Sequence, residues 1–344
     1  MRFGVIGIDH RHIYDLIGGL LEAGASCAGF DPATTDPLVA SGITRRFPEL
    51  SPVEADQLLD DPTIDLIVSA AVPSARADIA LKAMQRGKDV MVDKPGVTSF
   101  AQLEAVEKAV RETGRIFSIC FSERFLTPAS TLATKLVADG AIGEVIHTTG
   151  LGPHRLNRPI RPSWFFDPRN YGGILVDIAS HQIDQFLFFT GAQAPQVVAS
   201  SVGHFGDPDI AGFEDFGDVL LRAENASGYI RVDWFTADGL PTWGDGRLVL
   251  LGTKGTLELR KYVDIAGRPG TDHVFLVDAQ GTRHIDASGE KITYFERFLN
   301  DVRDRSDTAM SQQHVFAVCR LSLEAQACAT LVKDSAGLRR RDER

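Results

Sequence analysis

Cysteine and cationic side chains are both scarce in this sequence. Four cysteines occur among 344 residues, and none stands in a Cys-x-x-Cys pair that would suggest a redox or metal motif. We therefore expect them to be buried thiols in a reducing cytoplasm. Lysine and arginine number 36 against 46 aspartate and glutamate residues, which gives a formal charge of −10. This acidic balance argues against a nucleic-acid partner and against an anionic membrane surface.

Long apolar stretches are absent too. No apolar run approaches the roughly 18 residues that a membrane-spanning helix needs. The N-terminus leads directly into the apolar run Phe3 to Ile6 without a basic segment, so no signal peptide is visible. We expect a cytoplasmic protein without a membrane partner. At 344 residues and 44% hydrophobic composition, the chain has the size of two globular domains.

Short apolar runs alternate with helical patterns over residues 1–121, which is typical of βαβ units and a parallel sheet. The apolar runs are Phe3 to Ile6, Cys27 to Phe30, Ile64 to Ser69, Val90 to Val92 and Ile116 to Phe121. Ser51-Pro52 has the pattern of a helix start. The fold class predicted for this part is α/β, a Rossmann-type doubly wound parallel sheet of six strands.

Residues 122–344 follow another pattern, which predicts a second, α+β domain that binds substrate. Gly173 to Phe189 is strongly helical, and helical pattern returns between Val315 and Val332. From Val197 onward, short strand-like runs are separated by turns that contain glycine. These runs predict a large, mostly antiparallel open sheet.

The first strand-to-helix turn is where a dinucleotide fingerprint belongs. Gly-x-Gly-x-x-Gly requires glycine at positions 7, 9 and 12, but the chain has Gly7, Asp9 and His12. The missing glycines normally let the backbone approach a pyrophosphate and let the helix pack closely on the strand. One interpretation is that this turn binds no ligand.

A second interpretation keeps cofactor binding at this turn. Asp9 would cap the helix, Arg11 and the helix N-terminus would face the phosphates, and Gly18 and Gly19 would allow close packing. The candidate cofactor residues of the turn are Gly7, Ile8, Asp9, His10, Arg11 and His12.

Asp31 favours NAD as the cofactor. It ends the second apolar run, where a carboxylate binds the adenosine ribose hydroxyls and repels the additional phosphate of NADP. No cation follows it in Pro32 to Thr35, although NADP is not excluded. The alternative is an Asp-Pro pair that only forms a turn.

Asp93-Lys94-Pro95 closes the apolar run Val90 to Val92. Ligands bind at the carboxyl ends of parallel strands, and the proline stiffens the backbone directly after the lysine. Lys94 is therefore placed for chemistry.

Asp177 and His181 form a second candidate site. On one continuous helix they are i and i+4 neighbours, and Asp184 continues the same stripe. Burial beside a carboxylate would tune the histidine for acid–base work near neutral pH. The alternative is a structural pair. A metal site would need further ligands, and no spacing supports His147 or His154, so we predict none.

Four cationic or titratable residues precede Trp164: His154, Arg155, Arg158 and Arg161. If they face a cleft, they suit a sugar that carries a carboxylate or phosphate. The alternative, which we favour slightly, places them in solvent or at a subunit interface.

Taken together, these motifs resemble the glucose-fructose oxidoreductase/inositol dehydrogenase (Gfo/Idh/MocA) family across nearly the whole chain. Family members usually have Glu-Lys-Pro where this chain has Asp93-Lys94-Pro95, and a fuller glycine fingerprint. Further similar landmarks are Val72-Pro73-Ser74, Ser122-Glu123-Arg124-Phe125, Ile142-Gly143-Glu144-Val145, Trp164 and Leu251-Gly252-Thr253-Lys254-Gly255.

The resemblance implies an NAD(P)-dependent dehydrogenase that acts on a CH–OH group of a sugar, polyol or sugar acid. Lys94 would polarise the substrate oxygen, His181 would transfer its proton, and Asp177 would orient His181 and bind a neighbouring hydroxyl. The resemblance further implies cofactor contacts from Ala71, Pro73, Asp93 and Lys94, and substrate contacts from Arg124, His154, Arg155, Trp164, Asp177 and His181.

The family also implies a homodimer or homotetramer formed through the second domain's sheet. Two other functions stay open: a lyase or glycosidase that uses NAD transiently, and a nonenzymatic dinucleotide or sugar sensor. Net release of NADH would exclude the first, and turnover of any substrate would exclude the second.

Overall fold

The computed structural model describes residues 1–206, 209–210 and 212–334 of the chain. The predicted end of the second domain at residue 344 therefore lies outside the described residues.

A parallel sheet forms the first part of the molecule, as the alternating pattern predicts. Its strand order is β2-β1-β3-β4-β5, and every neighbouring pair is parallel. The chain moves outward from β1 in both directions, so the fold is doubly wound. The elements are β1 (Arg2–Val5), α1 (Ile13–Glu22), β2 (Ser26–Phe30), α2 (Pro37–Arg46), α3 (Ala55–Asp60), β3 (Leu66–Ser69), α4 (Pro73–Gln85), β4 (Asp89–Asp93), α5 (Phe100–Thr113) and β5 (Phe117–Cys120).

Two details of the first prediction are wrong. The described part of this sheet has five strands instead of six. Pro52 forms only an isolated bridge with Phe30, because a proline has no amide hydrogen with which to extend a ladder. Ser51-Pro52 does not start a helix, because the backbone of Ser51 and Val53 bonds to Phe30 at the end of β2, and α3 begins at Ala55 after the N-cap Glu54.

The second part contains the predicted large sheet, with nine strands in the described residues and the order β13-β12-β11-β10-β6-β9-β8-β7-β14. Its neighbours are antiparallel except for the pairs β6–β9 and β7–β14. Its elements are α6 (Ser122–Phe125), α7 (Pro128–Ala138), β6 (Val145–Pro153), two 3₁₀ turns (Arg158–Ile160 and Ser163–Phe166), α8 (Pro168–Tyr171), α9 (Ile174–Asp177), α10 (Ala179–Thr190), β7 (Gln196–His204), β8 (Phe216–Arg222), β9 (Ser227–Asp233), β10 (Arg247–Gly252), β11 (Gly255–Arg260), β12 (His273–Asp278), β13 (Gly281–Asp286), α11 (Tyr294–Asp304), α12 (Gln312–Ala327) and β14 (Thr330–Asp334).

Two helices of the second part differ from the prediction. The stretch from Gly173 is divided at Ile178 into α9 and α10. The last helix ends at Ala327, and the residues that follow form strand β14 beside β7. The β-branched pair Thr330 and Val332 suits the pleated edge of a sheet better than another helical turn.

The last two helices return to the first sheet and join the two parts. Gln312 on α12 donates to and accepts from the backbone of Phe117 on β5, both at 3.0 Å. Arg305 makes a two-pronged ion pair with Asp89, with both N–O distances 2.7 Å. These contacts hold the open cleft between the sheets in place.

The structure tests part of the predictions on membrane helices and cysteines. Among the described residues, no helix combines the length and the apolar surface required for crossing a bilayer. All four cysteines are free thiols, and Cys120 and Cys319 are buried as predicted. Cys328 is exposed and Cys27 is half-buried, so the expectation of burial is wrong for these two.

Candidate functional site

A cleft of about 1140 Å³ lies between the carboxyl edge of the parallel sheet and the inner side of the second domain. Its lining combines the turn after β1, the end of β4, the start of α6 and the α9–α10 junction. Chemically active side chains in this lining are Asp9, His10, Arg11, His12, Lys94, Glu123, His154, Arg155, Arg161, Asp177 and His181.

Lys94 reaches the cleft from the end of the buried strand β4. The guanidinium of Arg76 donates to the carbonyl oxygens of Ala71 at 2.8 Å, Asp93 at 2.8 Å and Pro95 at 3.0 Å. Because Arg76 is itself only 1% exposed, this network fixes the backbone on both sides of the lysine. The predicted placement of Lys94 at a rigid strand end is confirmed.

Asp177 is the partner of Lys94, not of His181. Lys94 Nζ donates to Asp177 Oδ1 at 2.8 Å, and both side chains line the cleft. The break at Ile178 changes the expected i, i+4 relation, and no hydrogen bond joins Asp177 to His181 among the described contacts. In the described residues the Asp177 carboxylate therefore contacts the ammonium of Lys94 and not the imidazole of His181.

His181 is buried, and burial lowers its pKa to about 3, against a smaller raising effect of Glu123. The predicted tuning toward neutral pH is wrong: the imidazole is neutral throughout the physiological range. Its Nδ1 is buried without a hydrogen-bond partner in the described part of the chain. A buried and unpartnered nitrogen is costly, so it marks a position where a ligand group is expected.

Glu123 is a cleft residue that the sequence prediction left out of the site. Its Oε2 accepts hydrogen bonds from Lys261 Nζ at 2.8 Å and Gln182 Nε2 at 3.1 Å, while Oε1 has no partner within the described residues. Burial favours the neutral acid, but Lys261 and the neighbouring histidines lower the pKa of Glu123 to about 2. Its place just after β5, at the carboxyl edge of the sheet, was the available signal.

Arg124, predicted to bind substrate, pairs with a buried carboxylate of the protein. Its guanidinium forms a bidentate ion pair with Asp184, with N–O distances of 2.6 and 2.7 Å. Asp184 also lies 2.7 Å from His314 Nε2. Burial raises the pKa of this carboxyl, but the contacts with Arg124 and His314 lower it to about 2. Arg124 does not line the cleft.

All three tryptophans of the chain line the cleft: Trp164, Trp234 and Trp243. The His154 ring lies 4.5 Å from the Trp243 ring and 5.2 Å from the Trp234 ring. Burial lowers the pKa of His154 to about 4, so it is a neutral member of this wall. His154 and Trp164, both predicted for substrate binding, line the cleft.

Arg155 and Arg161, the two arginines before Trp164 that line the cleft, have different surroundings. Arg155 lines the cleft, but its Nη2 donates to the carbonyl oxygens of Ala237 at 2.8 Å and Leu240 at 2.6 Å. Arg161 lies over the ring of Phe165 at 4.4 Å. It forms no ion pair with a carboxylate in the described residues, and burial lowers its pKa to about 10.

The turn after β1 departs from the predicted arrangement. Asp9 does not cap α1, whose N-cap is His12 without a side-chain hydrogen bond. The Asp9 carboxylate instead accepts from the Thr35 amide at 2.6 Å and the Val72 amide at 3.2 Å. It therefore ties the turn to the loops that follow β2 and β3. Gly19 does allow close packing, but against Phe295 of α11, whose ring would lie 2.0 Å from an added Cβ.

His10 and His12 both turn toward Asp93. His12 Nδ1 lies 2.9 Å from Asp93 Oδ1, and His10 Nδ1 lies 3.4 Å from Asp93 Oδ2. Burial opposes ionisation of Asp93, yet His12 and Arg76 hold its pKa well below the usual range. Burial also lowers the pKa of His10, which leaves that imidazole neutral.

The remaining cofactor candidates lie at the same carboxyl edge without lining the cleft. Asp31 directly follows β2, and its Oδ1 accepts from the Ala33 amide at 3.2 Å, which is a local Asx turn. Ala71 and Pro73 follow β3. An added Cβ on Gly7, which has φ of +80°, would lie 2.4 Å from the Ala71 Cβ, so these two loops approach closely only because position 7 is glycine.

The residues of this edge fit a dinucleotide. Gly7 provides the close approach of two loops that such a site needs, and the cleft volume matches a large ligand. Arg11 lines the cleft near the N-terminus of α1, and its guanidinium forms no hydrogen bond or ion pair within the described part of the chain. A free guanidinium at a helix N-terminus suits a pyrophosphate.

Comparisons with known proteins agree with this arrangement. A model described as an oxidoreductase family with an NAD-binding Rossmann fold matches residues 39–121. A second model, described as the GFO/IDH/MocA C-terminal domain, matches residues 131–258. The first match begins after the turn that lacks two glycines.

Individual relatives are similar over most of the chain. A scyllo-inositol 2-dehydrogenase (NAD(+)) of Bacillus subtilis strain 168 is 28% identical over 300 residues, which cover 83% of this chain and 82% of that protein. A solved structure from Erwinia carotovora atroseptica, provisionally named an oxidoreductase, is 44% identical with a TM-score of 0.93, covering 96% of this chain and 99% of that one. A levoglucosan dehydrogenase in complex with NADH and levoglucosan has a TM-score of 0.76 at 22% identity, covering 95% and 97% of the two chains, and supports the fold alone.

Proposed function

The chain belongs to the Gfo/Idh/MocA family of oxidoreductases with an NAD-binding Rossmann fold, and on this premise we propose that it is a sugar or polyol dehydrogenase. It transfers a hydride between nicotinamide and a secondary alcohol or ketone of a sugar, polyol or sugar acid. The observation that carries the proposal is the Lys94–Asp177 pair, with Nζ and Oδ1 2.8 Å apart, in a cleft that all three tryptophans line.

Lys94 binds and polarises the reacting oxygen. An ammonium fixed beside the reacting oxygen stabilises the negative charge that develops on an alkoxide. Asp177 keeps the ammonium aimed at the cleft, and its second oxygen is available to accept from a neighbouring hydroxyl. Because the two residues come from different domains, the reacting carbon is bound between the domains.

His181 accepts the hydroxyl proton in oxidation and returns it in reduction. Its neutral imidazole is in the form required to accept a proton, although a pKa of about 3 makes it a weak base in the ligand-free cleft. The unpartnered Oε1 of Glu123 compensates the imidazolium that forms, since Glu123 is the leading charge that raises the pKa of His181.

NAD, when bound, supplies the hydride acceptor or donor. We assign its phosphates to the turn of Gly7, Ile8 and Asp9 with Arg11, and its adenosine ribose to Asp31. Ala71 and Pro73 border this path on the adjacent loop. The Asp31 carboxylate disfavours the additional phosphate of NADP.

The three tryptophans that line the cleft support a sugar or polyol as the substrate. The C–H face of a sugar or polyol packs on aromatic rings, while its hydroxyls need the polar groups at the opposite side of the cleft. In support, relatives of the chain include dehydrogenases named for inositol and levoglucosan.

A panel of sugars, polyols and sugar acids with NAD, followed at the NADH absorbance, tests the function. Lys94→Ala and His181→Ala are expected to lower kcat/KM by about 100-fold or more, because each removes a group that acts on the transferred proton or its oxygen. Lys82→Ala and His147→Ala, which change residues outside the cleft lining, are the matched controls. Wild-type turnover by both folded site variants would refute the assignment, and product formation without net NADH would point to a lyase or glycosidase.

A further inference from the structure

We propose that His10, His12 and Asp93 form a binding site for a divalent transition-metal ion of the zinc type, open to the cleft. The ligand atoms of these three residues all lie within 4.8 Å of one another. This site goes beyond the dehydrogenase function, for which no metal is required.

The donor set is suited to such an ion. Two imidazole nitrogens and one carboxylate oxygen are typical zinc ligands, and three protein ligands with an open fourth position are typical of reactive zinc sites. Neither magnesium nor calcium matches this set, because both ions prefer oxygen ligands.

Both histidine-to-carboxylate distances are close to those of a metal site. In a tetrahedral site with bonds of about 2.0–2.1 Å, ligand atoms lie roughly 3.3 Å apart. Asp93 Oδ1 lies 2.9 Å from His12 Nδ1, and Asp93 Oδ2 lies 3.4 Å from His10 Nδ1. Both histidines therefore already present the same nitrogen, Nδ1, to one carboxylate.

Surrounding contacts hold the three residues in position. Asp93 is 1% exposed at the end of β4, and its Oδ2 accepts no well-aligned hydrogen bond from the described residues. Arg76 Nη2 lies 3.2 Å from the same oxygen and acts as an outer-sphere partner of the carboxylate. The His10 amide donates to Ala70 O at 2.9 Å, which fixes the backbone of the turn.

The open side of the site faces the cleft. His10 and His12 line the cleft beside Lys94, whereas Asp93 lies behind them. The carboxylate of Asp15, another cleft residue, adds negative charge on the first turn of α1. Arg76 and Lys94 oppose cation binding by their charge, but Lys94 is paired with Asp177.

Metal binding is tested without dinucleotide or substrate, so its outcome is separate from that of the proposed dehydrogenase. Full-length protein freed of metal with a chelator is titrated with ZnCl₂ by calorimetry and with CoCl₂ by visible absorption. We expect one ion per chain, with absorption bands of low-symmetry Co²⁺, and a loss of affinity of about 100-fold or more in His10→Ala and His12→Ala.

His147→Ala is the matched control, because His147 lies on β6 beside Ser227 and away from this cluster. His12→Gln serves as a second variant if His12→Ala does not fold, and unchanged circular dichroism and Tm establish folding. Stoichiometric binding that both histidine variants lose and the control keeps supports the site. Absence of binding to the wild type, or equal affinity in the folded variants, overturns it.

Discussion

Replacement of Arg124 by methionine separates a structural role of this arginine from a role in substrate binding. The guanidinium contacts the buried carboxylate of Asp184 through two charge-assisted hydrogen bonds of 2.6 and 2.7 Å. It also lies between the rings of Phe125 and Phe188, at 4.0 and 4.3 Å from their centres. Methionine preserves the packing between these rings and removes the charge.

The expected loss in the free energy of unfolding follows from the Asp184 carboxylate, which stays buried without the guanidinium. Removal of one partner of a buried ion pair typically costs about 3–5 kcal/mol, because the other charge stays desolvated. Asp184 is 0% exposed but keeps its contact with His314 at 2.7 Å, so we expect the lower end, about 3 kcal/mol. The lowering of the Asp184 pKa from 3.8 to about 2 corresponds to about 2 kcal/mol, which is of similar size.

This stabilisation has a defined pH dependence. The folded-state pKa of Asp184 is lowered, so its contribution is complete above the unfolded value of 3.8 and is lost as the pH falls toward about 2. In Arg124→Met the pKa moves back upward, and the loss of stability on acidification between pH 4 and 2 becomes smaller.

Urea unfolding at pH 7 and in this acidic range measures both effects. The double variant Arg124→Met/Asp184→Asn is the matched control, because it removes the isolated charge and is expected to recover part of the stability. A single variant within about 1 kcal/mol of the wild type would refute the structural role. So would unchanged stability together with a large rise in KM, which would return Arg124 to the substrate site.

Two further predictions concern the turn after β1 and the cleft. Gly7→Ala is expected to destabilise the fold by about 2 kcal/mol or more, because φ is +80° and the new Cβ would lie 2.4 Å from the Ala71 Cβ. Gly24→Ala is the control, since φ there is +89° and an added Cβ meets nothing within 4 Å. Equal Tm values for the two variants would contradict the prediction. Trp243→Ala is expected to raise KM for a neutral polyol about tenfold through loss of ring stacking, whereas Trp243→Phe retains most of the affinity. Steady-state kinetics measure both values. If both variants match the wild type, Trp243 does not bind substrate.

Much of the fold follows from local pattern. Continuous apolar runs such as Ile64 to Ser69 predicted buried parallel strands, and the described sheet contains β3 within that run. The pattern did not distinguish a helix start from an isolated bridge at Pro52, since that difference depends on which backbone groups a neighbour presents. It also missed the break at Ile178, where no glycine or proline signals the end of a helix.

The candidate site was only partly predictable. Lys94 and His181 were chosen for their places at a strand end and on an apolar helix, and both line the cleft. Glu123 was not predicted as a site residue, whereas the family resemblance implied the adjacent Arg124. Which of two adjacent charges faces a cleft depends on the direction of a four-residue helix, and sequence periodicity does not resolve that over so short an element.

The sequence by itself determined the fold class, the two-part organisation and the position of the lysine, because these depend on short-range periodicity and on the conformational limits of proline. The tertiary structure alone decided the pairing of polar groups: Lys94 with Asp177 across 83 positions, Arg124 with Asp184 across 60, and His12 with Asp93 across 81. Such pairs form between elements that meet only after folding. Their energies and protonation states are determined by desolvation, which the whole fold controls and no single segment encodes.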